Sequence, residues 1–224
     1  MLPTPSTSHL SKNIDFESVY DPAESTEDTF VLLDALEQDA LALKGSRLCL
    51  EIGSGSGCVS AFMGQICGPS SCLYLCTDLN PQAALCTLQT GKVNAVPLNP
   101  VISDLTSAFL PRLTNSVDVL VFNPPYVETE MEEMEGAQAR GAIDTTWAGG
   151  EHGMTVTNRV LHGGLVETLL SDKGVFYLVT IQQNKPEQII IDMRARGLVG
   201  EITLKRRAGG EHLQIIRFSR AAAT

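Results

Sequence analysis

Several kinds of segment are missing from this chain of 224 residues, and each absence excludes a class of protein. No stretch reaches the ~18 consecutive apolar residues that a membrane-spanning helix needs, so we expect no membrane insertion. The start of the chain, over residues 1–11, is rich in Pro, Ser and Thr and lacks the basic and apolar regions of a secretory signal. We interpret residues 1–17 as a disordered tail that precedes one domain over residues 18–220, because nothing in the sequence resembles an interdomain linker.

Positive charge is also scarce. The chain has 16 Lys and Arg against 26 Asp and Glu, which gives a formal net charge of -10. Proteins that hold duplex DNA or RNA by the phosphates normally need a basic face. The charge balance therefore argues against nucleic acid as the main partner, and it leaves room for a basic protein substrate.

Cysteine pairs with metal-binding spacing are absent as well. The six cysteines form no C-x-x-C pair, and the chain has only four histidines. Neither a zinc site nor a disulfide framework is indicated, so no metal is expected. Small apolar core residues in a reducing compartment fit the pattern better. We expect a cytosolic protein, and a nuclear location stays open. The cysteines are Cys49, Cys58, Cys67, Cys72, Cys76 and Cys86.

Strand-like and helix-like segments alternate along the chain. Short apolar runs indicate buried strands, and apolar residues at a 3.6-residue period indicate helices between them. This alternation favours an α/β fold with a mostly parallel sheet covered on both faces, and a Gly-Gly between the last two runs predicts a C-terminal antiparallel hairpin. The predicted strands are 47–52, 72–77, 100–103, 117–122, 175–181, 201–207 and 211–218. The predicted helices are 27–43, 57–66, 81–92, 155–170 and 186–196.

The motif Asn123-Pro124-Pro125-Tyr126 directly follows the apolar run at 117–122. Neither proline can continue a strand, so a stiff loop begins where a buried strand ends, as active-site loops of α/β sheets do. The side-chain carbonyl of Asn123 and the backbone carbonyl of Pro124 can accept both hydrogens of one planar –NH2 group. Taken alone, the motif fits a proline-rich turn capped by Asn123 equally well.

A glycine loop, Gly53-Ser54-Gly55-Ser56-Gly57, follows the first predicted strand. Glycines let the backbone turn sharply and approach a ligand closely. The pattern alone does not separate a dinucleotide binder from an S-adenosylmethionine (SAM) binder. The preceding acid helps, because Glu51 would repel a pyrophosphate and can instead take the ammonium group of a bound amino acid.

Acidic residues also end the next two predicted strands. Asp78 can accept both hydroxyls of a ribose. It can alternatively cap the following helix, although Asn80 is better placed because Pro81 would be the first helical residue. Asp104, with Leu105 beside it, can read an adenine amino group and ring edge, or simply form a turn. Three acids around one glycine loop predict a nucleoside pocket.

These motifs together resemble the class I SAM-dependent methyltransferases of the HemK type. Those enzymes methylate the side-chain amide of the glutamine in the Gly-Gly-Gln motif of class-1 translation release factors. The segments VYDPAE at 19–24, EDTF at 27–30 and WAGG at 147–150 are similar to the eukaryotic and archaeal branch. The resemblance covers residues 18–218 and implies a Rossmann-like methyltransferase fold, with SAM as cofactor and S-adenosylhomocysteine as product.

The resemblance also implies roles for single residues. Asn123, Pro124 and Tyr126 would be catalytic, with the first two holding the substrate –NH2 group and Tyr126 packing against the substrate side chain. Pro125 would keep the loop stiff. Trp147 would form a wall of the substrate groove, although a lone tryptophan beside a Gly-Gly is also typical of a core anchor. The implied cofactor contacts are Thr29, Glu51, Gly53, Gly55, Asp78, Asp104, Leu105 and Asn123.

The resemblance also implies a partner subunit, and the sequence departs from the family pattern at two places. Eukaryotic members work with a small zinc-binding activator subunit, which we expect at the edge strand near Val101-Ile102, because exposed edges invite pairing. An apparent insertion at Ser25-Thr26 leaves open whether Glu24 or Glu27 fills the family position. The acidic segment Glu128 to Glu135 is either a solvated loop or a contact for a basic substrate surface.

Three other functions stay open at this point. An adenine-amino methyltransferase acting on DNA or RNA would use the same pocket, but the net charge of -10 argues against it. A protein-lysine methyltransferase, for instance one acting on histones, would first have to remove a proton from its substrate amine. A non-catalytic SAM-binding scaffold is the third alternative, and the intact Asn-Pro-Pro-Tyr motif argues against that.

Overall fold

The computed structural model describes residues 2–10, 27–125, 154–208 and 210–221. Its strands are β1 (Leu48–Ile52), β2 (Leu73–Asp78), β3 (Leu98–Ile102), β4 (Val117–Phe122), β5 (Leu170–Ile181), β6 (Leu198–Ala208) and β7 (Glu211–Arg220). Its helices are α1 (Glu27–Gln38), α2 (Ala40–Leu43), α3 (Cys58–Cys67), α4 (Pro81–Val93), α5 (Thr155–His162), α6 (Leu165–Leu169) and α7 (Pro186–Arg194), with a 3-10 turn at Gln182–Asn184. Within these residues, no helix has the length and apolarity that a membrane span requires.

The strands form one sheet in the order β3-β2-β1-β4-β5-β7-β6 within the described residues. Strands β1 to β5 pair in parallel, and β7 pairs antiparallel with both β5 and β6. The predicted mostly parallel seven-stranded sheet with a C-terminal antiparallel hairpin is therefore confirmed.

Both faces of the sheet are covered, as the apolar strands predicted. Alternate side chains of a strand point to opposite faces, so Cys49 of β1 joins a core cluster with helices α1 and α3. Its neighbour Leu50 joins a second cluster with helices α5, α6 and α7. Because both faces are buried, the sheet is held rigidly and the loops at its strand ends are positioned by it.

Two predicted helices are interrupted. The helix expected over 27–43 ends at Gln38, because the Asp39 carboxylate accepts a hydrogen bond of 2.6 Å from the Tyr177 hydroxyl and lies 2.8 Å from the Arg217 guanidinium. The helix expected over 155–170 breaks at Gly164, whose φ of +73° is left-handed. Leu165–Leu169 then forms a separate turn of helix before β5.

The first residues of the chain pack against α4. Ser6 N donates to Asn94 Oδ1 over 2.8 Å, and Asn94 Nδ2 donates back to the Ser6 carbonyl over 2.9 Å. His9 and Leu10 are both buried. For residues 2–10 the structure thus differs from the disordered tail expected over 1–17, because these contacts offset the entropy lost on ordering the segment.

Candidate functional site

The predicted site residues follow four neighbouring strands. Strands β3, β2, β1 and β4 are adjacent and parallel, so their carboxyl ends share one edge of the sheet. Such an edge is where α/β sheets bind ligands. The residues that this edge brings together are Glu51 and the glycine loop, Asp78, Asp104 with Leu105, and Asn123 with Pro124 and Pro125.

The glycine loop is held close to the middle of α4. Gly53, Gly55 and Gly57 have φ values of 68°, 48° and 74°, which favour glycine. A Cβ added to Gly57 would lie 2.8 Å from the Thr87 Cα atom. The backbone of the loop therefore runs close to the helix, and the missing side chains leave its outer surface open to a ligand.

Glu51 is buried beneath the glycine loop. Its carboxylate oxygen Oε2 accepts a hydrogen bond of 3.0 Å from Ser60 N in the first turn of α3, and a second one from the Ser60 hydroxyl. Burial raises the pKa of Glu51 to about 8, and the nearby charge of Asp78 adds to this. Without a ligand, the charged form of Glu51 is thus destabilised, and a cation bound beside it would stabilise that form.

Asp78 joins the end of β2 to the glycine loop. Oδ2 accepts a hydrogen bond of 2.9 Å from Gly55 N, and Oδ1 accepts one of 2.8 Å from Asn80 N. Burial raises the pKa of Asp78. Asn80, rather than Asp78, caps α4 by accepting from Gln82 N over 2.9 Å with Pro81 in the first turn, which confirms the predicted cap.

Asp104 has a partner that the sequence did not indicate. Its carboxylate oxygen Oδ2 lies 2.6 Å from Arg159 Nη2 of α5. Both side chains are about half exposed, at 53% and 52%, so solvent weakens this ion pair. Leu105 follows in a left-handed conformation, with φ of +48°, and packs on the second core cluster. Asp104 Oδ1 is not engaged by Arg159.

Asn123 is anchored by the first turn of α1. Its Nδ2 donates a hydrogen bond of 3.0 Å to Asp28 Oδ2, while Asp28 Oδ1 accepts from Thr29 N. Asn123 Oδ1 is buried and has no hydrogen-bond partner within the described residues. Pro124 beside it is buried and Pro125 is half-buried. The loop therefore presents an amide oxygen that is buried and, in the described part of the chain, unpaired.

Asp28 is the site residue that sequence reasoning missed. It was predicted only as part of the EDTF segment at 27–30, with no role of its own. The signal that could have found it is the EDTF segment itself, which the resemblance matched as a motif. Tyr126, Trp147, Glu24 and the segment from Glu128 to Glu135 lie outside the described residues. Among those that are described, no group of three or more His, Cys, Asp or Glu is arranged to hold a metal ion.

Comparison with known proteins identifies the family. The family model described as the methyltransferase small domain matches residues 17–162. The chain belongs to this methyltransferase family. It is 50% identical over 220 residues to mouse methyltransferase HEMK2, covering 98% of each chain. It is 38% identical over 239 residues to the eRF1 methyltransferase catalytic subunit mtq2 of Schizosaccharomyces pombe, covering 100% of this chain and 98% of the relative.

A solved structure extends the likeness to three dimensions. The E. cuniculi Mtq2-Trm112 complex, responsible for methylation of the eRF1 translation termination factor, matches with a TM-score of 0.66 and 27% identity, covering 91% of this chain and 99% of that one. The predicted resemblance to HemK-type methyltransferases is confirmed by these relatives. Membership of the family implies that SAM is the methyl donor.

Proposed function

We propose that this methyltransferase transfers a methyl group from SAM to the side-chain amide of the glutamine in the Gly-Gly-Gln motif of a class-1 release factor. It acts as the catalytic subunit of a heterodimer with a small zinc-binding activator. Full-length similarity to a catalytic subunit that methylates eRF1 supports the choice of substrate. The observation that carries the proposal is the buried oxygen Oδ1 of Asn123, which has no hydrogen-bond partner among the residues that the structure describes.

A buried acceptor without a donor costs about 1–3 kcal/mol, so a ligand that supplies the donor is favoured there. Asp28 accepts from Asn123 Nδ2, and this contact fixes which end of the amide is the acceptor. The carbonyl of Pro124 is a second acceptor next to it, on a residue that has no N–H of its own. Two adjacent acceptors match the two hydrogens of a planar –NH2 group.

The residues at the sheet edge fit SAM. Gly53 and Gly55 would let its methionine portion approach the backbone, and Glu51 would take its ammonium group. Asp78 would accept the ribose hydroxyls. When bound, SAM supplies a methyl group already activated by a sulfonium. Thr29, Asp104, Leu105 and Asn123 complete the proposed cofactor contacts.

The protein's task in this reaction is mainly orientation. An amide nitrogen is a weak nucleophile because its lone pair is delocalised into the carbonyl. Asn123 Oδ1 and the Pro124 carbonyl hold the two hydrogens and thereby fix the nitrogen, and such positioning contributes several kcal/mol, up to about 7–11 in ideal cases. The same oxygens stabilise the positive charge that develops on nitrogen. Tyr126 and Trp147 are proposed to pack against the substrate.

The activator subunit would add at the free edge of β3. Ile102 at the end of this strand is 57% exposed, and Val93 of the adjacent helix α4 is 50% exposed. Pro100 lies within β3, and proline in a sheet is typical of an edge strand. These exposed apolar residues beside an unpaired edge, within the described part of the sheet, suit a partner that extends the sheet.

Methyl transfer from labelled SAM to release factor tests the proposal. Asn123→Ala should lower kcat at least about 100-fold, as loss of one preorganised charge-stabilising group does. SAM binding by calorimetry should change little. Asp28→Ala should lower kcat less, about tenfold, because it frees the Asn123 amide to rotate without removing it.

Two kinds of control are needed: one for general effects of mutation on the protein, and one for the identity of the substrate. Gln188→Ala removes an exposed amide on α7 and should leave turnover unchanged. A release factor whose motif glutamine is replaced by alanine should accept no methyl group. Near-normal turnover by Asn123→Ala would refute the assigned role. Faster methylation of histone lysine or of DNA than of release factor would refute the proposed substrate.

A further inference from the structure

Three cysteines meet at the sheet edge opposite the methyl-transfer site. Cys49 is the second residue of β1, Cys67 is the last residue of α3, and Cys72 immediately precedes β2. We call them the thiol cluster. The Sγ atoms of Cys49 and Cys72 are 3.4 Å apart. The Cys67 thiol donates to the Leu43 carbonyl over 3.4 Å and lies close enough to Cys49 and Cys72 to influence the pKa of both. Because parallel strands begin at one edge and end at the other, this cluster lies away from the glycine loop.

The three thiols are not equivalent. Cys49 and Cys67 are buried, whereas Cys72 is half-buried and follows an exposed turn. The neighbouring thiols of Cys49 and Cys67 stabilise the Cys72 thiolate and lower its pKa. By contrast, burial raises the pKa of Cys58 to about 12 and that of Cys86 to about 11. Cys72 therefore combines access to solvent with thiolate character, and these two properties control cysteine reactivity.

We infer that the thiol cluster is a site of reversible oxidation, at which hydrogen peroxide joins Cys72 and Cys49 in a disulfide. The Cys72 thiolate attacks one peroxide oxygen, the O–O bond breaks, and hydroxide leaves and takes up a proton to become water. The product is a sulfenic acid on Cys72. The Cys49 sulfur then attacks the Cys72 sulfur, the S–O bond breaks, and the Cys49 proton leaves with the hydroxyl as a second water.

The positions of the two sulfurs favour this bond. A disulfide has an S–S distance of about 2.05 Å, so sulfurs now 3.4 Å apart must approach by about 1.4 Å. Strands β1 and β2 are already paired, with Leu48 opposite Leu73. Cys72 lies outside β2, at the end of an exposed turn, so we expect the approach to leave the pairing of the strands in place. When sulfenic acid forms on Cys72, the Cys49 thiol is already in contact with it. Formation of the disulfide is therefore favoured over further oxidation of Cys72.

Peptide mapping of the purified full-length chain tests the inference. The chain is treated with a stoichiometric amount of hydrogen peroxide, blocked with N-ethylmaleimide and digested without reductant. We expect one cross-linked pair of peptides containing Cys49 and Cys72, lighter by two hydrogens than the separate peptides. Dithiothreitol should restore both thiols. Methyl transfer is not the readout, so the result does not depend on the proposed function.

Variants complete the test. Cys72→Ser should abolish the cross-link and slow the peroxide-dependent loss of thiols by on the order of tenfold. Cys72→Ala provides a second version should the serine variant fail to fold. Cys86→Ser removes a buried thiol elsewhere and should leave the cross-link intact. Irreversible sulfinic acid on Cys72, a cross-link that omits Cys49, or equal thiol loss in Cys72→Ser would overturn the inference.

Discussion

Replacing Glu51 with glutamine should stabilise the protein at neutral and alkaline pH while weakening its binding of SAM. Glu51 is only 3% exposed, and burial raises its pKa from 4.5 to about 8. The folded state therefore binds a proton that the unfolded state releases between these two pH values. By linkage, this group makes the protein less stable as pH rises through that window. Glutamine has no charge to bury and removes the effect.

The size of the effect follows from the pKa shift. A rise from 4.5 to about 8 corresponds, at 1.36 kcal/mol per unit, to about 5 kcal/mol once both states are ionised. At pH 7 the penalty is about 3 kcal/mol, and at pH 5.5 it is about 1 kcal/mol. Glutamine still accepts from Ser60 N but hydrogen-bonds to Ser60 less well than the carboxyl group does, which costs about 1 kcal/mol. The net gain is then about 2 kcal/mol at pH 7 and almost nothing at pH 5.5.

The assay compares unfolding of wild type and Glu51→Gln at pH 5.5, 7.0 and 8.5. The difference between the two proteins is the quantity of interest, because contributions from titratable groups that do not interact with Glu51 cancel in it. Glu187→Gln is the matched control, since this glutamate on α7 is 60% exposed, and it should show no pH-dependent difference. Calorimetric titration with SAM should show binding weakened at least about tenfold, or 1.4 kcal/mol.

Two outcomes would refute the reasoning about Glu51. If the variant is less stable than wild type at pH 8.5, the hydrogen bonds to Ser60 outweigh the cost of burying the charge. If the two stability profiles run parallel across the pH range, the pKa of Glu51 is not raised in the folded protein. A variant that is stabilised but binds SAM normally would retain the burial argument and refute the ammonium contact.

Two further predictions concern the partner and the first residues of the chain. Ile102→Lys should prevent co-purification with the activator subunit. The control Ile191→Lys should not, although this isoleucine of α7 is as exposed as Ile102 (60% against 57%). Equal loss of the activator in both variants would contradict docking at β3. His9 Nε2 lies 3.1 Å from Thr90 Oγ1, and burial lowers the pKa of His9. The folded protein therefore favours neutral His9, and its stability should fall as the pH drops below about 6.5. Unfolding measured at pH 5.5 and 7.5 should show a smaller loss of stability in His9→Gln than in wild type. The control His162→Gln, at an exposed histidine, should lose as much stability as wild type.

The order of secondary structure elements could be predicted because the deciding interactions are local in sequence. Strand β4 was predicted at its observed bounds, since an apolar run closed by two prolines has few alternatives. The cap at Asn80 followed from Pro81 in the first turn. Predictions failed where a distant residue intervened. The helix break at Asp39 depends on Tyr177 and Arg217, which lie far along the chain.

The same distinction applies to the site. The placement of the glycine loop and its acids at one sheet edge could be predicted, because each lies at the end of one strand. Arg159 could not be linked to Asp104, because an ion pair between α5 and the end of β3 depends on how the helix packs. The packing of residues 2–10 on α4 was missed for a related reason. The low apolar content of this segment predicts disorder. In the structure, however, His9 and Leu10 are buried, and these two side chains hold the short segment against the domain.

The Asn-Pro-Pro-Tyr motif shows how a distant contact changes the meaning of a local pattern. If Asn123 merely capped a turn, its Oδ1 atom would accept a hydrogen bond from a nearby backbone N–H. Within the described residues Oδ1 accepts none, while Nδ2 is bonded to Asp28, 95 positions earlier in the chain. The amide is thus held by its donor end and leaves its acceptor end unused, which is costly in a buried position. A turn gains nothing from that arrangement, whereas a site that must receive an –NH2 group requires it.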